Sequence, residues 1–268
     1  MDWSRIKTIF IIAFLILDLF LLSQLMTKSR QFEVKSDATL EENLKSDGIV
    51  YDGLPKDVAT DHYMSANTYI FTEEEIMEIK AKVEYPEDRS SIHVTLEKPI
   101  VANKKQDFVE LNDYVLTHVL HGESYGFWNY DKEENTVTYY QKEDDKTLFM
   151  NRSANLVFEL NEVGEVISYD QTMLDTFKPI SEKEEVYPAL RALESLYSKG
   201  VLKPGSTVLN AELGYHSLVS MEATQVLTPT WHFLVKNKDN SIENLLVNAF
   251  EGQIIQAQQK PTEKTKLE

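Results

Sequence analysis

Six histidines and no cysteine among 268 residues leave a narrow menu for chemistry. Without cysteine there is no thiolate nucleophile, no disulfide and no thiolate-held zinc or iron–sulfur centre. His118 and His121 stand three residues apart on a segment of helical periodicity, so both could face one ligand. No HExxH pattern or neighbouring carboxylate motif accompanies them, and a helix end, where the dipole favours positive charge, accounts for the pair. Gly200-Val-Leu-Lys-Pro-Gly205-Ser-Thr has the glycine spacing of a phosphate loop but lacks the Lys before Ser206. It also lies between a helix and a strand, the reverse of the required context, and a helix stop followed by a Pro-Gly turn explains it. No GxSxG elbow occurs, and nothing recommends a Ser-His-Asp triad. Glu73–Glu75 and Glu182–Glu185 set carboxylates side by side, yet acidic first turns of helices explain them too. Tyr125-Gly-Phe-Trp-Asn-Tyr130 is aromatic enough to line a groove for a peptide or glycan, with core and rim positions of a strand as the plainer account. No catalytic, cofactor-binding or metal-ligating residue is assigned, and no cofactor is expected.

The one ionisable residue in an unusual place is Asp18. It sits inside the run Thr8–Thr27, about 20 residues that as a helix span roughly 30 Å, the hydrocarbon thickness of a bilayer. A cleaved signal peptide would have a shorter apolar region and an A-x-A-like site, and this run ends instead in Ser23-Gln-Leu-Met-Thr-Lys-Ser-Arg30. The reading is an uncleaved anchor. Asp18 then falls near the bilayer midplane, where an ionised carboxylate costs roughly 2.5–3.5 kcal/mol. The side chain is too short to reach an interface some 15 Å away. Intramembrane ionisable residues usually face protein, so Asp18 is expected to meet a polar group on another protein's helix. Helical spacing puts Ile11, Phe14, Leu15, Leu21, Leu22 and Leu25 on or near the same face. No GxxxG pattern favours self-dimerisation.

The formal charge is -17, from 27 Lys and Arg against 44 Asp and Glu, which argues against a nucleic-acid partner. Residues 1–30 carry four basic and two acidic side chains, so the remainder, 23 basic against 42 acidic, stands at -19 and should not adhere to anionic lipid. Basic residues flank the apolar run almost evenly, and the shortness of the first segment favours a cytoplasmic N-terminus with the rest translocated.

The opening Met1-Asp-Trp-Ser-Arg-Ile-Lys-Thr-Ile-Phe-Ile-Ile-Ala-Phe-Leu-Ile-Leu-Asp-Leu-Phe-Leu-Leu22 resembles the N-terminus of the YycI (WalI) family. Those are regulators of the essential YycFG (WalKR) two-component system of Gram-positive bacteria. The resemblance implies a single anchor, an extracytoplasmic α+β domain, and a membrane complex with YycH and the sensor histidine kinase YycG (WalK). Contacts between transmembrane helices would adjust kinase activity, and with it cell-wall metabolism. The alternative is a membrane-tethered, extracytoplasmic ligand-binding module for wall fragments; an anchored hydrolase has the least behind it.

Around the anchor the expected layout is a cytoplasmic tail (1–7), the span (8–27), a polar juxtamembrane stalk (28–48) with a helical turn around Asp37–Lys45, two lobes (49–175 and 176–256) and a disordered tail (257–268). Thr72-Glu-Glu-Glu75 reads as a capping box opening a helix with Ile76, Ile79 and Val83 inward. Ser91–Glu97 alternates as a strand. Asp107–His121 reads as a helix stopped by Gly122. Strands are expected at 125–130, 136–141, 147–150, 156–160 and 165–171. A second helix, with Leu190, Leu193 and Tyr197 as its stripe and Pro188 in its first turn, precedes strands at 207–213, 230–236, 243–250 and 253–255. The fold class is α+β, two lobes each of helix plus antiparallel sheet. Both lobes run helix then meander, and Asn155–Ile167 echoes Asn244–Ile255 in a strand, a Gly turn and a second strand. Hairpin chemistry alone could produce the echo, so a duplication stays open.

Overall fold

The computed structural model describes residues 3–30, 37–56, 59–102, 108–220 and 223–255. It divides between Gly48 and Ile49 into two units. In the first, the apolar run and its flanks form one unbroken helix, α1 (Trp3–Arg30). The stalk carries a full helix, α2 (Asp37–Ser46), rather than a single turn. Its end is closed by Asp47 N–H donating to Asn43 O and Gly48 N–H to Lys45 O, with Gly48 at φ 67°. Glycine takes that left-handed conformation without the steric cost of a Cβ.

The second unit begins with β1 (Val50–Tyr51), β2 (Thr60–Asp61) and β3 (Met64–Thr68). The capping box holds: Thr72 accepts from Glu75 N–H, Glu75 accepts from Thr72 N–H, and α3 (Glu73–Glu78) follows. The helix stops at Ile79, and Val83 lies instead on β4 (Lys82–Glu84). Next come β5 (Ser91–Val101) and α4 (Val109–His118). The expected helix start at Asp107 lies outside the described residues. A short 3-10 turn at Gly122–Ser124 leads into the meander β6 (Tyr125–Asp131), β7 (Thr136–Glu143), β8 (Lys146–Thr147), β9 (Asn155–Leu160) and β10 (Glu165–Thr172). Then come β11 (Leu174–Pro179), β12 (Glu184–Glu185), α5 (Ala189–Ser198), β13 (Thr207–Ser220), β14 (Thr224–Lys236), β15 (Ile242–Asn248) and β16 (Ile254–Ile255).

Two seven-stranded sheets result. The first runs β4-β5-β10-β9-β7-β6 with β8 appended to β7. The second runs β1-β13-β14-β15-β16, with β3 joining β14 to β11. The stretch 50–68 therefore gives β1 and β3 to the second sheet although it precedes the whole of the first. In each sheet one face is sealed by a helix. On the first, alternate residues Val137 and Tyr139 of β7 and Leu156 and Phe158 of β9 are buried with Leu111 and Val115 of α4. Each such side chain contributes about 1.5–3 kcal/mol when fully withdrawn from water. On the second, α5 packs against β15. Its most buried residues are Ala189, Ala192, Leu193 and Leu196, whereas Leu190 and Tyr197 of the expected stripe are only half-buried. Two alanines on that side keep the inward surface low, and a reading that scores only large apolar residues rotates the helix.

Two other expectations change. Gly122 does not carry the left-handed turn after α4; His121 does, at φ 53°. Gly122 is required for space, because a Cβ there would stand 1.8 Å from Val115 O. The strand expected at 147–150 is only β8 plus a parallel bridge from Leu148 to Tyr215. That bridge stitches the first sheet to the second: Phe149 N–H donates to Tyr215 O at 2.7 Å, and Gly214 leaves room for the crossing chain. The expected disordered tail, 257–268, lies outside the described residues.

Candidate functional site

The unbroken course of α1 keeps the expected face intact. At about 100° per residue, Ile11, Phe14, Leu15, Leu21, Leu22 and Leu25 all fall within about 60° of Asp18. Asp18 and the first five of these are exposed, Ile11 at 65% and Leu22 at 47%; the side chain of Leu25 lies outside the described residues. The stretch Lys7–Gln24 has a mean hydropathy of 1.9 and no buried residue. Its 18 residues span about 27 Å, so it fits a single-pass membrane anchor by length and composition.

A second feature belongs to the body alone. Because α4 covers one face of the first sheet, the alternate residues of β7 (Thr136, Thr138 and Tyr140) face away from that core. Together with Trp128 and Asn129 of β6 they form one wall of a cleft of about 980 Å³. The opposite wall comes from the second sheet and its turns, with His216, Ser217, Gln225, Asn244 and Asn248. Trp128 is half-buried, its ring 5.3 Å from Tyr140, 5.8 Å from Phe149 and 4.6 Å from His232.

His232 is nearly fully buried and held at both ring nitrogens. Nε2 donates to Asn244 Oδ1 at 2.8 Å, and Nδ1 lies 3.2 Å from Glu212 Oε1. The hydrogen bond from His232 keeps the Glu212 carboxyl below its ordinary range, against the opposing effect of burial.

Three further polar links fix the walls relative to each other. The Gln141 amide, on β7, donates from Nε2 to Leu174 O at 2.7 Å and accepts from Leu174 N–H at 2.8 Å. Asn151 Nδ2 donates to Gln225 Oε1 at 2.7 Å, with both residues buried. Asp61, almost inaccessible, accepts from Lys146 Nζ at 2.6 Å and from Tyr215 OH at 2.7 Å. These amides satisfy buried backbone and side-chain groups that would otherwise each cost about 1–3 kcal/mol.

The motifs weighed for catalysis are dispersed. His118 Nδ1 contacts Thr117 Oγ1 and its ring stacks on Tyr114, whereas His121 Nε2 reaches Glu75 Oε1 at 3.0 Å, so the two histidines serve different partners. Burial raises the Glu75 carboxyl, but hydrogen bonds from Tyr69, Thr72 and His121 outweigh it and hold the group at about 2. Glu75 is thus a structural cap. Gly200 and Gly205 take φ 70° and 76° in the turns between α5 and β13, the helix stop and Pro-Gly turn expected there. Among the described residues no group of three or more His, Asp or Glu is placed to hold a metal ion.

A family model described as YycI protein matches residues 27–250. The chain belongs to the YycI family. That match covers the body, whereas the resemblance noted above lay in residues 1–22, so two separate stretches carry the same name. Membership makes the chain a regulator associated with the YycFG system, in a family that is regulatory rather than enzymatic. Among solved structures it is similar to the Bacillus megaterium YpeB C-terminal domain, at 11% identity and a TM-score of 0.43, covering 83% of this chain and 98% of that one. It is also similar to an uncharacterised protein from Eubacterium rectale, at 10% identity and a TM-score of 0.41, covering 75% and 86%. No curated protein is similar enough to count as a relative.

The aromatic stretch 125–130 is legible in the sequence, but its facing wall is not. Gln225, Asn244 and Asn248 are polar residues within strands rich in apolar neighbours, the signal that would have marked an inward-facing polar surface.

Proposed function

We propose that this YycI-family chain is a single-pass membrane regulator that acts on the sensor histidine kinase YycG through the Asp18 face of α1. Its N-terminus is cytoplasmic, its body is extracytoplasmic, and the body adds contacts to YycH, to the exterior part of the kinase, or to both. The observation that carries the reading is the position of Asp18, the one charged residue between Lys7 and Lys28 of α1, whose described side chains from Lys7 to Gln24 are all exposed. A lone carboxylate at that depth costs roughly 2.5–3.5 kcal/mol, and a polar group on a neighbouring helix would offset it. Bias of the kinase then requires that α1 bind its two signalling states with different affinity. The consequence would be altered output of the two-component system and hence altered cell-wall metabolism.

The test is site-specific photocrosslinking at each position from 10 to 25 in native membranes, combined with Asp18→Leu. Crosslinks to YycG recurring with a helical period on the Asp18 face, and loss of co-purification with the kinase in Asp18→Leu, are the expected results. Crosslinks to lipid alone, or wild-type co-purification and kinase output in Asp18→Leu, overturn the reading.

A further inference from the structure

The cleft between the two sheets has a composition that selects a ligand class. Its volume of about 980 Å³ stands at the upper end of ligand sites, which run to about 1,000 Å³. Most of its polar lining is uncharged: side-chain amides such as Asn129, Asn248 and Gln253, and hydroxyls such as Thr136, Thr138 and Ser217. The charged lining is three carboxylates, Asp131, Glu134 and Glu251, against the single cation Arg152. That balance repels a polyanion. The Trp128 ring offers a half-buried apolar surface among the lining residues. Ser217 Oγ is out of reach of solvent with no hydrogen-bond partner among the described residues, a polar atom left unsatisfied at the wall. Asn244 uses Oδ1 on His232, which leaves its Nδ2 hydrogens for another acceptor.

We infer that this cleft is a binding site for an uncharged oligosaccharide. A sugar ring presents hydroxyls and acetamido groups around its edge and C–H groups on its face. The amide and hydroxyl lining matches the edge, and an indole matches the face. An extended peptide would instead bind through its main chain along a free strand edge, which a lining of side-chain amides does not favour. The links through Gln141, Asn151 and Asp61 hold the two walls in place, so a ligand loses little energy to reordering them. The inference does not depend on what α1 binds.

The experiment titrates the full chain in detergent with tetra-N-acetylchitotetraose, read by tryptophan fluorescence and by isothermal calorimetry, with an oligolysine and a glycerol-phosphate polymer as competing probes. Saturable binding of the tetrasaccharide is expected, weakened about tenfold or more by Trp128→Ala. Since Trp128 also packs on Phe149 and His232, Thr138→Arg provides a second variant, which fills the cleft from a half-buried position on its wall and should abolish binding while a cooperative thermal melt is retained. No binding of the tetrasaccharide at about 10 mM overturns the inference. So does binding that neither variant weakens, or saturable binding of oligolysine or of the glycerol-phosphate polymer with none of the sugar.

Discussion

Replacing Gln141 with Met removes one amide and leaves two main-chain groups stranded. Gln141 is 1% exposed, and its amide is the partner of both the N–H and the C=O of Leu174, itself fully buried. Methionine is close in shape, so the substitution opens little space; the loss is that of two hydrogen bonds and the desolvation they had offset. At about 1–3 kcal/mol for each buried unpaired group, the unit should lose about 2–6 kcal/mol. For a domain of this size each kcal/mol lowers the melting temperature by about 2–4 °C, so a fall of about 8–16 °C is expected at the middle of that range. Gln141→Glu sharpens the test. It keeps an acceptor for Leu174 N–H but turns a second carboxylate oxygen toward Leu174 O, which repels when ionised and can donate when protonated. It should therefore be destabilised at neutral pH and regain stability toward acid. Thermal unfolding of the full chain in detergent, followed by tryptophan fluorescence, measures both variants. A Gln141→Met melting temperature within about 2 °C of wild type, or a Gln141→Glu deficit independent of pH, would show that the amide is not what joins β7 to β11.

Other substitutions separate space from conformation. Gly214→Ala would bring a Cβ 2.4 Å from Thr147 O and 2.6 Å from the Phe149 ring, and should cost about 1–3 kcal/mol in the same melt. Gly53→Ala, with φ 76° and no atom within 4 Å, should cost only about 1 kcal/mol of backbone strain. Asp61→Ala strips the partner from Lys146 and from the Tyr215 hydroxyl; because Lys146 keeps some access to water, about 2–3 kcal/mol is expected, at or below the low end for a broken buried pair. The Glu75 cap predicts a pH dependence. Its carboxyl is held at about 2 in the folded chain against an unfolded value of 4.5, so its contribution is full above 4.5 and is lost as pH falls toward 2. The stability gap between wild type and Glu75→Gln should therefore shrink over that window, and a constant gap would contradict the assignment.

Local signals were legible where the partner lay close in sequence. The Thr72–Glu75 box and the alternation of β5, β7, β9 and β10 are written into neighbouring residues, and each element formed where its pattern lies. The elements that were not read owe their structure to distant chain. Met64-Ser-Ala-Asn-Thr68 has little strand propensity, and it is a strand because β11 and β14 flank it. The same holds for Leu174–Pro179, a strand through its pairing with β3. The strand expected at 230–236 runs instead from Thr224, straight through Pro229. On the side its carbonyl faces, β3 pairs only through Leu227 and β15 only from Thr230, so the missing N–H falls in the gap between two partners. The cleft was half legible: Trp128 was noticed, but the wall opposite depends on how two sheets meet, which no local pattern encodes.

The interleaving of the sheets also sets an order of assembly. All strands of the first sheet come from residues 82–172, so it can close while synthesis is still in progress. β1 and β3, made earlier, find their mates only in β11, β13 and β14, the last of which ends at Lys236. Residues 50–68 must therefore wait with open edges through nearly the entire time of translation, a slow long-range closure of the kind that exposes a chain to mispairing. A chaperone or a protease would meet the nascent protein at that stretch first.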